Sequence, residues 1–428
     1  MIPAASPTTV SVLISAEFRD ASCSAVQQLS AKVFGLDQCV AASSGDKWYT
    51  YECDFVANTF VANTYATANC SGDHSQYNGA SGTCVENMGY TFSRFTCVNS
   101  AQWREFEAWQ QRFGKATAYA ALSSSELAAK FSKWRTNAEF IAAHNANPIS
   151  TSTAAMNAFG DLSLAEFRAL HPSAIARGAH AAATWRSAAD APTPPASWDW
   201  RGHGAVSPIK NQFEPNSCGS CWAFSAIAGV ESRYALDGHA VESFSAQNLV
   251  DCTLNGSDTC NEGGEMHDGV MQIATEQRGK VSTSAAYAYT GLSKGVCHFA
   301  DHAATNVETN VSGYANVTAG DESALLQALY SGGVIPAGIN SDAQAFMFYS
   351  GGVLNVPAAR CKAGPAALDH GVAIIGYGTD ASSGLQYWHV KNSYGEYWGE
   401  KGYFRIVRGR NSCGIATDCI VVRGKQQL

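Results

Sequence analysis

The sequence predicts an α+β fold, because helical and β-type patterns occupy separate stretches of its 428 residues. Short β-prone stretches between cysteines fill residues 1–99. Apolar side chains at helical spacing follow in residues 100–190. Residues 191–428 contain a helix-like run rich in alanine and, later, apolar runs of strand length. We therefore expect three consecutive domains with these bounds.

Composition narrows the class of protein. Apolar residues make up 46% of the chain and charged residues 15%, so each domain can bury a core. The formal net charge of −8 argues against a nucleic-acid partner, and no apolar run approaches the length of a membrane span. Fourteen cysteines indicate an oxidising compartment, yet the polar first residues lack the features of a signal peptide. We expect that a signal segment is missing or that Met1 is not the true start.

Residues 1–99 contain six cysteines at fairly even intervals. Between them, β-prone stretches such as Lys47–Tyr51 alternate with turn residues. This pattern predicts a small β-rich domain with up to three disulfides, whose pairing is open among about 15 possibilities. The cysteines concerned are Cys23, Cys39, Cys53, Cys70, Cys84 and Cys97.

Residues 100–190 contain no cysteine and show two helical stripes. Phe106, Trp109 and Phe113 follow i, i+3, i+7 spacing, which is typical of an amphipathic helix packed on a core. A second stripe consists of Glu126, Lys130, Trp134, Asn137, Ile141 and Asn145. From about residue 171 to 195 the chain becomes rich in alanine and proline, which predicts an exposed connector where a maturation cut is accessible.

Cys221 begins the helix-like run of the third domain. Most cysteines of a disulfide-rich chain are buried or paired, but a helix N-terminus favours thiolate over thiol, and the thiolate is the nucleophile. A nucleophilic thiol needs a base and a third group that orients the base. His370 and Asn392 each lie in apolar surroundings that predict buried strands. These three residues are the candidate catalytic residues.

The segments around these residues resemble, in chain order, the active-site segments of papain-like cysteine proteases, with Cys218–Trp222 as the strongest signature. The second stripe of the middle domain is similar to the inhibitory propeptide helix of cathepsin-L-type proteases. Asn157, Phe159 and Asp161 resemble the second motif of that propeptide. The resemblance implies a helical left lobe, a β-barrel-like right lobe, a substrate cleft between them and a propeptide that blocks the cleft.

The resemblance also assigns roles to residues. Cys221 would attack the peptide carbonyl, His370 would protonate the leaving amine and then activate water, and Asn392 would orient the imidazole. Gln212 would donate to the oxyanion together with the backbone N–H of Cys221. Nine positions separate Gln212 from Cys221, three more than in the family, so Phe213–Asn216 carries an insertion. We expect this insertion to bulge outward without displacing Gln212, because an exposed bulge costs little.

Further positions follow by the same resemblance. Tyr394 replaces the tryptophan whose ring, in the family, shields the Asn–His pair from water. We expect the smaller tyrosine ring to cover this pair less completely. Trp398 keeps its family position. The implied disulfides are Cys218–Cys260, Cys252–Cys297 and Cys361–Cys413. Cys419 is then left over, and we expect it to be a small buried apolar residue rather than a functional thiol.

Substrate binding is expected to involve seven positions, two of which are Tyr394 and Trp398. Gly263 and Gly264 would form a bare backbone ledge for extended substrate. Met266 and Ala337 would form an apolar wall of the S2 pocket, with Asp418 at its floor. The carboxylate would pair with arginine or lysine, and the apolar wall would take phenylalanine or leucine. We therefore expect the enzyme to accept Phe, Leu or Arg as the P2 residue of its substrate. The alternative is that Asp418 points to solvent.

The predicted function is therefore the zymogen of a cysteine endopeptidase, active on proteins and peptides without metal or cofactor. Its own propeptide would be its inhibitor, and we expect a monomer that is secreted or targeted to a lysosome or vacuole. A second interpretation is a surface- or glycan-binding secreted protein whose protease part is inactive or secondary. A third is an exopeptidase, which we disfavour because no paired-histidine insertion resembling an occluding loop is present.

Overall fold

A computed structural model of the protein describes residues 100–122, 124–171, 182–188, 190–253, 259–293 and 295–425. Before residue 99 it describes the segments 12–18, 28–35, 40–41, 48–54, 59–66, 69–71, 74–80, 84–87 and 91–98. The chain divides into two compact units, Met1–Glu139 and Phe140–Leu428.

The first unit begins with eight described strands. They are β1 (Val12–Phe18), β2 (Gln28–Gly35), β3 (Val40–Ala41), β4 (Trp48–Asp54), β5 (Thr59–Tyr65), β6 (His74–Ala80), β7 (Cys84–Asn87) and β8 (Thr91–Val98). Two antiparallel sheets result, with the strand orders β2-β1-β8-β7 and β3-β4-β5-β6. Cys70 is disulfide-bonded. The pairing of the other five cysteines lies outside the described residues.

Three helices follow: α1 (Ser100–Arg112), α2 (Ala116–Ala120) and α3 (Ser124–Ala146). The first predicted stripe lies on α1, where Phe106 is completely buried. Its ring stacks on Trp109 at 5.6 Å between centroids and meets Phe131 and Trp134 of α3 at 5.2 Å and 5.7 Å. These aromatic contacts hold the helices of this unit together, since paired rings add about 1 kcal/mol each beyond simple burial. The division between the two units falls within α3.

The second unit starts with the remainder of the predicted propeptide. After the end of α3 come the strand β9 (Ser152–Ala154) and the helix α4 (Leu164–Ala169). Ser163 and Glu166 form a capping box at the start of α4, which satisfies backbone N–H groups that the helix leaves unpaired. β9 pairs antiparallel with β15 (Tyr349–Leu354), so this segment adds a strand to the main sheet.

A helical lobe is built around α5 (Cys221–Leu236), whose first thirteen residues are all buried. It is joined by α6 (Ala246–Cys252) and α7 (Met266–Met271). Their apolar side chains form one core, in which Trp222, Leu249 and Met266 are completely buried. Gly229 lets α5 also pack closely on the strand Ile335–Ile339, because a Cβ at Gly229 would lie 2.6 Å from a ring carbon of Pro336.

A β-rich lobe forms the rest of the unit. Its strands are β10 (Trp198–Asp199), β14 (Ile335–Ile339), β15, β16 (His370–Thr379), β17 (Gln386–Lys391) and β18 (Tyr403–Val407). The sheet order is β10-β16-β17-β18-β15-β9, and β14 pairs with β16. All of β16 except its last residue is buried, as its unbroken apolar run predicts. The predicted fold, with a helical lobe, a β lobe and a helical propeptide, is confirmed.

The remaining regular elements are short. They are β11 (Lys280–Val281), β12 (Val307–Glu308), β13 (Val311–Asn316), α8 (Glu322–Gly332), α9 (Gln344–Met347) and β19 (Ile420–Gly424). β11 pairs with β12 and β13 pairs with β19, both antiparallel. In the part of the chain that the structure describes, no helix has both the length and the apolar character needed to cross a membrane.

Candidate active site

The three candidate catalytic residues lie where the two lobes meet. Cys221 is the first residue of α5, His370 is the first residue of β16, and Asn392 directly follows β17. Gly371 packs on the start of α5, because a Cβ there would lie 2.9 Å from the backbone oxygen of Cys221. This close approach, which glycine permits, brings the beginning of the helix against the beginning of the strand.

The imidazole of His370 is held by Asn392. Its Nε2 lies 2.8 Å from Asn392 Oδ1, which also accepts a hydrogen bond from Ser393 N at 2.8 Å. Because the same oxygen takes both bonds, the neutral ring carries its proton on Nε2 and leaves Nδ1 as an acceptor. Among the described residues, His370 Nδ1 has no hydrogen-bond partner. The nitrogen that a general base needs is therefore available.

Burial disfavours the charged forms of Cys221 and His370 in this form of the protein. It raises the pKa of the Cys221 thiol to about 12, and Asp369 adds to the shift, while hydrogen bonds from the backbone of Gly371 and Trp222 oppose it. Burial also lowers the pKa of His370 well below its ordinary value, and the nearby His171 lowers it further. A neutral thiol and a neutral imidazole are thus favoured over an ion pair.

Gln212 is completely buried beside the start of the helical lobe. Its backbone N–H donates to Ser393 O at 2.8 Å, and its Oε1 accepts from Ser393 Oγ at 2.8 Å. Its Nε2 donates to Cys218 O at 3.1 Å. Residues 214–217 of the following loop are exposed, so the extra residues project outward while Gln212 stays tied to both lobes.

Tyr394 covers the histidine. Its ring stacks on His370 with centroids 4.8 Å apart and an interplanar angle of 28°. The ring of Trp398 contacts the ring of Tyr394, with centroids 5.3 Å apart. Trp398 is almost completely buried, and its indole N–H donates to Met347 O at 3.1 Å. The tyrosine ring therefore lies over the His370 ring, the position in which a shield of the Asn–His pair is expected.

The propeptide closes the site with His171, two residues after α4. His171 is buried; its Nδ1 donates to Phe167 O at 3.1 Å, and the hydroxyl of Tyr394 donates to its Nε2. Its ring meets the ring of His370 at 4.9 Å. Burial lowers the pKa of His171 to about 4, while the hydrogen bond to Phe167 opposes the shift. A histidine of the predicted propeptide, for which burial favours the neutral form, thus lies directly on the candidate catalytic histidine.

The expected substrate-binding residues are found around α7 and β14. Met266 and Ala337 are completely buried, and Gly338 N donates to Asp418 O at 2.9 Å, which places Asp418 beside β14. The carboxylate of Asp418 lies 3.1 Å from His267 Nε2. The carboxylate therefore has an imidazole partner inside the protein instead of pointing only to solvent.

The glycine pair lies next to the start of α7. Gly263 has a φ of +71°, a conformation that favours glycine, and a Cβ at Gly264 would lie 2.6 Å from the Trp222 ring.

The structure also contains the disulfides Cys218–Cys260, Cys252–Cys297 and Cys361–Cys413, the pairs that the resemblance implies. Cys419 is a buried free cysteine.

Sequence reasoning missed three residues of this site. His171 was assigned only to the connector, although its spacing of four residues from Phe167 is the spacing of neighbours on a helix. His267 follows the expected Met266, and no sequence signal distinguishes it. Phe213 was noted only as part of the insertion, yet its ring lies 5.1 Å from Tyr394.

Comparison with known proteins gives two matching family models. The model described as papain family cysteine protease matches residues 194–423, and the cathepsin propeptide inhibitor domain matches residues 106–167. These matches fall inside the predicted peptidase and propeptide segments, whose bounds stay predictions.

Individual relatives agree with these models. Cathepsin L of Sarcophaga peregrina is 41% identical over 227 residues, covering 53% of this chain and 62% of the relative, so the chain spans less than two thirds of that protein. Cysteine proteinase EP-B 1 of Hordeum vulgare is 35% identical over 328 residues, covering 74% of this chain and 83% of the relative. Digestive procathepsin L 3 of the Tenebrio molitor larval midgut superimposes with a TM-score of 0.64 at 32% identity, covering 75% of this chain and 98% of that one.

Proposed function

The chain belongs to the papain family of cysteine proteases, as predicted, and from this premise we propose that it is the zymogen of a cysteine endopeptidase acting on proteins and peptides. The observation that carries the proposal is the His370–Asn392 hydrogen bond of 2.8 Å, which leaves His370 Nδ1 available beside the helix that begins at Cys221.

In the proposed reaction the Cys221 thiol gives its proton to His370 Nδ1, and the Cys221 sulfur attacks the substrate carbonyl carbon. The protonated imidazole then gives this proton to the leaving amine, which departs and leaves a thioester on Cys221. A water molecule loses a proton to the same nitrogen, attacks the thioester and releases the acid. Asn392 holds the ring through Nε2 during both steps.

Oxyanion stabilisation is the proposed role of Gln212 and the Cys221 backbone N–H. Gln212 Nε2 uses one proton for Cys218 O, which leaves its second proton for a developing negative charge. The anchoring of Gln212 by Ser393 supports this role, because a donor contributes most when its position is set before the reaction begins.

The intact chain is proposed to be inactive for two reasons. The match to the propeptide inhibitor domain ends at residue 167 within α4, and His171, four residues later, covers the His370 ring. This cover also excludes water, and desolvation keeps Cys221 and His370 neutral. Removal of the propeptide would rehydrate both groups, lower the pKa of Cys221 and raise that of His370, so that the ion pair can form.

The other assignments are proposed on the family alone. We propose that the protein acts as a monomer, outside the cell or in a lysosome or vacuole, where disulfides persist. Proteins and peptides are the proposed substrates, and no cofactor enters the reaction described above.

The proposal is tested by incubating the purified chain at acidic pH with dithiothreitol, with and without an epoxide thiol trap. Mass spectrometry follows the chain, and Phe-Arg and Leu-Arg reporter peptides follow activity. We expect loss of about 190 residues, onset of cleavage that the trap abolishes, and an adduct on Cys221, with Cys221→Ser as the inactive control. A stable full-length chain without adduct would instead support the surface-binding interpretation.

A further inference from the structure

An aromatic row runs from the insertion to the catalytic histidine. It consists of the rings of Phe213, Tyr394 and His370, with centroids 5.1 Å apart for the first pair and 4.8 Å for the second. The row exists because two loops run side by side: Asn211 bridges Tyr394, and Gln212 N donates to Ser393 O at 2.8 Å. Phe213 and Tyr394 are therefore neighbours across the strand-like pair.

Phe213 is held in place by the loop that carries it. Its backbone N–H donates to Asn211 Oδ1 at 3.1 Å, and Asn216, at the end of the insertion, donates its amide to Thr290 O at 3.0 Å. Gly291 has a φ of +66°, and a Cβ there would lie 2.1 Å from Asn216 O, so this contact needs glycine. The extra residues thus anchor Phe213 instead of leaving it on a loose bulge.

In the zymogen the propeptide covers this row. Phe159 meets the rings of Phe213 and Tyr394 edge-on at 5.3 Å and 5.5 Å. His171 lies 5.6 Å from Tyr394 and 6.2 Å from Phe213. Both covering residues precede the predicted maturation cut and leave with the propeptide. The mature enzyme would then present two aromatic rings that have lost their propeptide partners, while Tyr394 keeps its contacts with His370 and Trp398.

The position of the row indicates what replaces the propeptide. His370 gives its proton to the leaving amine, so the residue that carries this amine must lie against His370. Tyr394 stacks on His370, and Phe213 extends the row beyond Tyr394. The side chain directly after the scissile bond is therefore the part of the substrate nearest to the row.

We propose that Phe213, which the insertion supplies, lines the subsite for the substrate residue directly after the scissile bond beside Tyr394, and that it makes this subsite prefer an aromatic or imidazole side chain. The inference rests on the proposed function. Ring side chains are favoured because the propeptide already seats a phenylalanine and a histidine there. Phe213, supplied by the insertion, becomes a specificity-determining residue.

The test uses self-processed enzyme and internally quenched peptides that differ only in the residue after the scissile bond: Phe, His, Leu or Ala. We expect kcat/KM for Phe to exceed that for Ala by about tenfold or more, the range that an aromatic contact plus its buried surface supplies. Phe213→Ala is expected to lower this Phe/Ala ratio several-fold, and Phe213→Tyr to retain it. Active sites are counted with the epoxide trap before each comparison.

Two further variants complete the design. Phe299→Ala removes a half-buried phenylalanine from the turn Phe299–His302 and should leave the ratio unchanged. If Phe213→Ala does not fold, Phe213→Leu keeps an apolar side chain without the ring and should also lower the ratio. An equal rate on all four peptides, or an unchanged ratio in the Phe213 variants, overturns the inference while the protease assignment stands. No cleavage of any peptide by the trap-reactive enzyme would overturn both.

Discussion

The imidazole ring of His171 lies against the imidazole ring of His370, with centroids 4.9 Å apart and ring planes at 69°. The first ring belongs to the predicted propeptide and the second to the candidate active site. Their contact excludes water from His370 and places a second titratable ring beside it. Docking of the propeptide and protonation of the site are therefore physically linked.

We predict that this contact makes propeptide release sensitive to acid. The pKa of the docked His171 is lowered to about 4, below the ordinary value of 6.5, so the docked state binds fewer protons than the released state. Above pH 6.5 the neutral His171 makes its full contribution to the free energy of propeptide docking. This contribution is lost as the pH falls from 6.5 towards 4, and the total loss is on the order of 3 kcal/mol. The titratable rings in contact with His171 are those of His370 and Tyr394. Cys221 and Asp369 act on Tyr394, and the ion pair Arg168–Asp342 lies beside Asp369.

The measurement is the rate of self-processing between pH 3.5 and 7 for the wild-type chain and for His171→Phe. The variant keeps a ring of similar size that cannot be protonated, so its processing should begin at lower pH. Arg168→Gln, on the preceding helix α4, is the control for the loss of a nearby charge, because the Arg168 side chain is more than half exposed. Superimposable profiles for wild type and His171→Phe would contradict this prediction.

We predict that Gln212→Ala lowers kcat/KM of the processed enzyme by roughly ten- to a thousandfold, because one oxyanion donor is lost. Most of the loss should appear in kcat, since the donor acts on charge that develops in the transition state. Steady-state kinetics on a Leu-Arg reporter measures it. Glu214→Ala, in the exposed part of the same loop, is the matched control and should behave as wild type. A Gln212→Ala enzyme with normal kcat would mean that the insertion has moved the oxyanion donor elsewhere.

Asp418 should contribute to recognition of arginine at P2. We expect Asp418→Ala to lower kcat/KM for a P2 arginine substrate more than for a P2 leucine substrate, because only arginine pairs with the carboxylate. His267 already pairs with Asp418 at 3.1 Å, so His267→Gln should raise the Arg/Leu ratio by freeing the carboxylate. Parallel assays of the two reporters give the ratios. An equal loss on both substrates in Asp418→Ala would show that the carboxylate does not face the P2 side chain.

Gly371 should not tolerate a side chain. A Cβ there would lie 2.9 Å from Cys221 O and 3.0 Å from Trp222 N, and both are backbone atoms that cannot move aside cheaply. We expect Gly371→Ala to destabilise the protein by about 1–3 kcal/mol and to separate the two catalytic segments. Thermal unfolding and the rate of epoxide trapping at Cys221 measure the two effects. Gly364→Ala is the control, because Gly364 has a φ of −72° and no atom within 4 Å of the position that a Cβ would take; a Gly371→Ala protein that matched it in trapping rate would disprove the packing argument.

Local patterns were sufficient for much of the fold. The helical spacing of Phe106 and Trp109 predicted α1, and the unbroken apolar run after His370 predicted a buried strand. Both follow from the periodicity with which a helix or strand turns its side chains towards a core. The motif around Cys221, together with His370 and Asn392, was specific enough to indicate the family that the comparisons confirm.

The sequence by itself therefore determined the family, the succession of propeptide and peptidase, and the identity of the candidate catalytic residues. Only the tertiary structure decided that His171 lies on His370, that Phe213 joins Tyr394, and that Asp418 pairs with His267. These contacts join residues 199, 181 and 151 positions apart in the chain, as their numbers show. No local periodicity reports such pairs, because they arise when separate elements pack against a common core, and packing depends on the shape of the whole unit.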